Sequence, residues 1–387
     1  FKIRGSYGIV GNDQISDQRF LYLSTVNTSA NGGLFGDSQA LITGYAESKI
    51  GVDVTWEKAY KADVGVELRL LRDRLTLQGD FFNENRNDIL LERKSIQSVA
   101  GIATAVYANL GKVVNRGVDA VLEWRDTSKD GFYYSFYANF TYAHNHIVED
   151  DTPHPKYDYL ETRGRRIDQP FGYIALGFFG SEEEIADSPE QTFMTNVRPG
   201  DVKYLDLNND GKITPDDRAP IGFARTPEMM FGFGGSVAWK GIDLSVGFTG
   251  AARTSTFLMS EDMMPFSLEY PRYNVSREYY DHRWIPGADN SRAKYPAVIN
   301  GNNPNNYQKS TLYLRDASYI KLKNAEIGYT LPERWCRKIG IQKVRVFVNG
   351  TNLLCFDKLK IVDPEADGGT GNYPQQRTIN GGFQINF

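Results

Sequence analysis

Along the last nine residues of the chain, apolar and polar positions alternate. Ile379, Phe383, Ile385 and Phe387 fall on one side of a period-two pattern, with Gly381 in register. Asn380, Gly382, Gln384 and Asn386 fall on the other. Such alternation marks a strand with one apolar and one polar face. The pattern recurs upstream. Phe1, Ile3, Gly5, Tyr7 and Ile9 share one face of a first strand. Ala62 to Leu70 and Leu75 to Phe81 predict the next two. Val118, Ala120, Leu122 and Trp124 mark another, and Phe132 to Tyr142 the one after it. Met229 to Trp239 and Ile242 to Phe248 follow, then an unusually long alternating span from Tyr313 to Tyr329, then Val344 to Val348. With the closing strand, the pattern predicts about ten strands.

The connections carry as much information. Short turns fall at Arg72-Asp73, Asp126 to Asp130, Lys240-Gly241 and Pro332 to Gln342. Long loops cover about 10–51, 84–106, 143–227, 251–310 and 354–375. Long and short alternate throughout. A soluble sandwich has no reason to sort its loops by length. A transmembrane barrel does, with short periplasmic turns and long extracellular loops. The predicted fold is therefore all-β, a transmembrane antiparallel β-barrel with apolar positions toward lipid and polar positions toward the lumen. In that orientation Trp124, Trp239 and Trp335 lie at the periplasmic rim, where an aromatic belt is expected. The expected location is the outer membrane of a bacterial cell. Because Phe1 already lies inside a strand, the chain is expected to be the carboxy-terminal part of a longer protein.

Composition agrees. The 387 residues include 23 Tyr, 22 Phe and 37 Gly, as suits many strands joined by turns. No run of about eighteen apolar residues exists, which excludes a transmembrane helix and leaves a barrel open. The formal net charge of −4 argues against nucleic acid as a partner. Cys336 falls in a periplasmic turn and Cys355 at an extracellular strand end. They are about 25 Å apart across the membrane, so both are expected to be free thiols.

The sharpest local motif runs from Asp206 to Asp217, D-L-N-N-D-G-K-I-T-P-D-D. It follows the twelve-residue calcium loop. Asp206, Asn208 and Asp210 offer short oxygen-bearing side chains, and Gly211 permits the sharp turn. The Lys212 carbonyl, Thr214 and Asp217 complete the expected ligand set. Asp217 stands where that loop normally carries Glu. No helix is expected before it, because Val202 to Leu205 reads as extended. The expected ion is calcium, with magnesium the alternative, in a structural role that pins an extracellular loop. No redox or organic cofactor is expected. His144, His146, Glu149, Asp150 and Asp151 are read as a strand end entering a polar loop, because no nucleophile or third ligand accompanies them. Tyr270, Tyr273, Tyr279, Tyr280 and Trp284 lie among Asp and Arg residues in one loop, an arrangement that suits sugar rings. Tyr133, Tyr137, Lys61, Arg69, Glu123 and Arg125 are expected to face the lumen, where solvation or plug packing is the first reading of them.

Tyr313 to Pro332 reads Y-L-R-D-A-S-Y-I-K-L-K-N-A-E-I-G-Y-T-L-P. This resembles a strand of the SusC/RagA family, TonB-dependent outer-membrane transporters of Bacteroidetes. Ser6-Tyr7-Gly8 with Gly11-Asn12, Trp56-Glu57-Lys58, Asn109 to Val113, Asn115-Arg116-Gly117, Arg283-Trp284, Ala293 to Pro296 and Val348 to Leu353 resemble other motifs of that family, in order. The resemblance implies a plugged barrel of about 22 strands, of which this chain would supply the last ten. The plug domain and TonB box are absent from this sequence. It further implies import of oligosaccharides, less often peptides, handed over by a SusD-like surface lipoprotein. That lipoprotein is the other partner expected for the tyrosine-rich loop. Energy would come from the TonB–ExbB–ExbD complex acting through the missing part, with no chemistry on the cargo. Membrane lipid and lipopolysaccharide would surround the wall. The competing readings are a stand-alone ten-stranded outer-membrane hydrolase and a soluble β-sandwich binding module.

Overall fold

Val64, Phe81, Val118, Tyr142 and Met229 are far apart in the chain, yet they stand side by side on one rung of a sheet. The computed structural model describes residues 1–13, 20–102, 104–259, 263–266, 274–299, 301–337, 340–366 and 373–387. Strand β1 (Lys2–Asn12) leads into a hairpin, β2 (Thr25–Phe35) and β3 (Ala40–Lys49). Four long strands follow: β4 (Glu57–Leu70), β5 (Leu75–Glu92), β6 (Tyr107–Thr127) and β7 (Tyr133–Glu149). The excursion after β7 holds β8 (Phe171–Gly172), β9 (Ala175–Phe178), α1 (Glu182–Ala186), β10 (Glu190–Gln191), β11 (Val202–Tyr204), β12 (Lys212–Ile213) and β13 (Ala219–Pro220). After β14 (Met229–Trp239) and β15 (Ile242–Ala252), a second excursion holds β16 (Ser255–Phe257), α2 (Arg277–His282) and β17 (Leu314–Asp316). The chain ends with β18 (Tyr319–Thr330), α3 (Glu333–Cys336), β19 (Lys343–Asp357) and β20 (Thr378–Asn386).

Ten of these strands form one antiparallel sheet in the order β1-β4-β5-β6-β7-β14-β15-β18-β19-β20. Its edges, β1 and β20, do not pair with each other, so the ten strands form a wall that does not close on itself. Register explains the sequence pattern. Phe248, Leu322 and Leu354 share a rung, as do Leu244, Ile327, Val348 and Gly381. Phe233 and Phe248 stack with centroids 5.0 Å apart. A continuous apolar face therefore crosses all ten strands. The eleven residues of β14 or β15, at about 3.4 Å each and tilted about 40°, span about 28 Å, the height of a bilayer core. The opposite face carries Lys61, Glu84, Asp80, Asp119, Thr141 and Glu326. Tyr137 lies flat there across Gly234 and Gly247; a Cβ on Gly234 would come within 2.6 Å of its hydroxyl.

The short turns have the backbone their residues suggest. Lys240 (φ 48°) and Gly241 (φ 89°) form a two-residue hairpin turn with both φ values positive. Trp239 and Trp335, about half exposed, stand at this end of the wall.

Three features differ from the expected layout. β5, β6 and β7 run well past the apolar rungs, and β2–β3 form a hairpin inside the segment expected to be a loop. The pattern lapses in both places, because strands outside a membrane have no lipid to face. The third difference is a break in the long span from Tyr313 to Tyr329. β17 pairs with β16, and β18 begins anew at Tyr319. Asp316 causes the break by accepting the Ser318 amide at 2.9 Å, a local turn that competes with the ladder.

Beyond the wall, the two excursions fold together. Tyr173, Val202, Tyr204 and Ile213 make one core, and Met263, Tyr279 and Tyr295 another. A buried polar network ties the excursions to each other. The Asp201 carboxylate accepts from the amide groups of Asn303 (2.7 Å) and Asn306 (2.8 Å). Asn305 donates to the Val202 carbonyl at 2.8 Å.

Candidate functional site

The segment Asp206 to Asp217 leaves β11, turns back through β12, and closes in a 3-10 turn at Pro215–Asp217. Its turn requires left-handed backbone at Asn209 (φ 59°) and Gly211 (φ 85°). The side-chain oxygens converge on the loop's own amides. Asp206 accepts from Asp210 (3.2 Å) and Gly211 (2.8 Å), and Asn208 from Asp210 (2.9 Å). Asp210 accepts from Lys212 at 3.0 Å, and the Asn208 amide donates to Asp210 at 3.1 Å. Asp217 is buried beneath them. One of its oxygens accepts from Leu207 (2.8 Å) and Asn208 (3.3 Å), the other from Thr214 (2.7 Å). Thr214 itself caps the 3-10 turn in a reciprocal capping box with Asp217. Ile213, fully buried, anchors the loop in the tyrosine core.

Every metal-binding atom here would be a hard oxygen; each Asp206 oxygen accepts a single amide and keeps a lone pair, whereas both Asp217 oxygens already accept two bonds. That chemistry fits calcium or magnesium rather than a softer metal. Three His, Cys, Asp or Glu side chains do not converge as a metal-holding group among the described residues. The set would rest on amide and carbonyl oxygens as well as carboxylates.

The predicted aromatic contacts separate. Tyr270 and Tyr273 lie outside the described residues. Tyr279 is fully buried, stacked on Tyr295 at 4.8 Å, and its hydroxyl donates to the Pro296 carbonyl at 3.2 Å. Burial pushes that hydroxyl well above its ordinary pKa. Tyr279 is thus a core residue, not a presented one. Tyr280 is exposed, with the Arg283 guanidinium 3.8 Å from its ring centroid. Trp284 is half-buried, its indole packed on Gly200, whose left-handed backbone (φ 94°) leaves no room for a side chain. Trp284 lines a cleft of about 660 Å³ with Phe178, Pro286, Asn290 and Ser291, and no charged residue lines it among the described residues.

His144, Glu149, Asp150 and Asp151 do not form a catalytic set. His144 pairs with Glu228 at 2.8 Å, Asp150 accepts from the Thr162 hydroxyl at 2.7 Å, and Asp151 pairs with Arg93 at 3.2 Å. Cys336 and Cys355 are free thiols. On the lumen face, Lys61 pairs with Glu84 (3.3 Å) and Arg69 with Glu67 (2.9 Å). The Asp201–Asn303–Asn306 network and the contacts of Glu228 escaped the sequence reading, because Asp201 lies about a hundred residues from the two asparagines and the partners of Glu228 are more than twenty residues from it in the chain.

An open, membrane-height β-wall with elaborate loops at one end defines a class, the large outer-membrane β-barrels. The model of the TonB dependent receptor-like β-barrel family matches residues 2–353, and the chain belongs to that family. TonB-dependent receptor P3 of Formosa agariphila is 26% identical over 420 residues, covering 100% of this chain and 39% of its own length. TonB-dependent receptor SusC of Bacteroides thetaiotaomicron is 23% identical, covering 100% of this chain and 37% of its own. The structure of the RagAB peptide transporter superposes with a TM-score of 0.72 at 22% identity, over 99% of this chain and 40% of that one. The resemblance to SusC/RagA transporters holds, and the protein is an outer-membrane protein. The chain spans about 40% of the length of the curated relatives it matches.

Proposed function

We propose that this chain forms part of the wall and the extracellular vestibule of an importer of oligosaccharides. The observation that supports the cargo class is the Trp284 cleft. An indole face beside Phe178, with no charged lining among the described residues, suits the apolar face of a neutral sugar ring. The importer would receive cargo from a SusD-like surface lipoprotein. It would draw energy from TonB–ExbB–ExbD through a plug carried on the rest of the protein, and would perform no chemistry on the cargo. The loop from Asp206 to Asp217 would hold calcium as a structural ion that stiffens the vestibule.

The test is binding of oligosaccharides and of peptides to the full-length protein by isothermal titration. Trp284→Ala should weaken oligosaccharide binding about tenfold, the worth of one aromatic stacking contact. Peptide binding with no oligosaccharide binding would refute the cargo assignment.

A further inference from the structure

One step above the apolar rung of Phe81, Val118 and Tyr142, the same outer face turns polar. Asn83, Arg116 and His144 lie next to one another there. Arg116 is exposed and donates to the Asn83 amide oxygen at 2.8 Å. No ion pair holds it among the described residues. His144 contacts Glu228, which is nearly buried and also pairs with Arg166 and Arg253. Arg253 takes left-handed backbone (φ 57°) just past β15. That turn brings its guanidinium over the outer-face Tyr142 ring, 5.9 Å from the centroid, and over Phe223 at 4.9 Å. Two guanidiniums and the His144 imidazole thus gather around the Glu228 carboxylate, beside Arg116, at the upper border of the lipid-facing band.

We propose that this border is a binding site for a phosphorylated lipid of the outer leaflet. The apolar floor of Phe81, Val118 and Tyr142 is continuous with the face that meets acyl chains. The excess cations lie at the height where lipid phosphates sit, and Arg116 has donors to spare for phosphate oxygens. A soluble anion would make no use of the floor. Cargo in the lumen lies on the other side of the wall. The inference rests on the orientation of the wall in the membrane and not on the cargo reading.

The test uses full-length protein, delipidated in mild detergent and mixed with lipopolysaccharide or with phosphatidylcholine. Retained lipid is counted by native mass spectrometry. Wild type should retain lipopolysaccharide over phosphatidylcholine, and Arg116→Glu should lower retention about tenfold. Arg116→Lys should keep most of it. Arg334→Glu, a charge reversal at the opposite rim, should change nothing. Heat-modifiable gel mobility verifies that each variant is folded, and Arg116→Gln serves if Arg116→Glu does not assemble. Undiminished retention by folded Arg116 variants would overturn the proposal. So would equal retention of phosphatidylcholine, or full displacement by inorganic phosphate, which would mark a free-anion site.

Discussion

Asp217 is the residue on which the loop from Asp206 to Asp217 depends most directly, and its removal gives a calculable effect. The side chain is buried, and its oxygens accept from three backbone amides, two of them at 2.7 and 2.8 Å. Asp217→Ala leaves these donors unpaired in a site water reaches poorly. Counting only the two short bonds, at about 1.5–2 kcal/mol each for an ionised acceptor, the loss is about 3–4 kcal/mol. That corresponds to faster local opening by roughly two to three orders of magnitude. Hydrogen exchange of the Leu207 and Thr214 amides reads it, with a chelator present throughout so that no ion contributes. Amides of β14 and β15 should keep their protection, because the loop is not part of the ladder. If Leu207 and Thr214 exchange within about threefold of wild type, the capping-box argument is wrong.

Asp206→Ala combined with Asp210→Ala should raise protease sensitivity near residue 210 in calcium and leave the wall intact. If that variant and chelator-treated wild type both match untreated protein, the loop holds no structural ion. Arg163 holds the Glu161 carboxyl at about 2, below its ordinary 4.5. The Glu161–Arg163 contribution should therefore be complete above about pH 4.5 and fade as pH falls toward 2. Exchange at the Thr162 and Arg163 amides, compared with Glu161→Gln, should show a difference that vanishes across that window. Gly234→Val should block assembly, because the Val246 carbonyl and Tyr137 occupy the space. Gly79→Val, with its nearest neighbour at 4.0 Å, should assemble, and gel mobility without heating separates the two. Denatured protein should titrate as two free thiols without reductant.

The amino-acid sequence by itself determined the wall. Period-two alternation is a local property: each strand carries its own apolar and polar sides, and lipid on one face enforces the pattern at every rung. Turn residues such as Lys240-Gly241 and the sorting of loop lengths then set the topology of the wall. The oxygen-rich turn from Asp206 to Asp217 was also legible, because its side chains come from one twelve-residue segment. Only the tertiary structure decided what lies above the membrane. There Tyr279 is a core residue and Trp284 a cleft residue, although they are five positions apart in similar surroundings. Asp201 meets Asn303 and Asn306, about a hundred residues away, and His144, Arg166 and Arg253 gather around Glu228 from separate segments. Outside the bilayer no uniform solvent imposes a period, so burial is set by which segments pack together, and contacts between distant segments leave no repeating mark in the sequence.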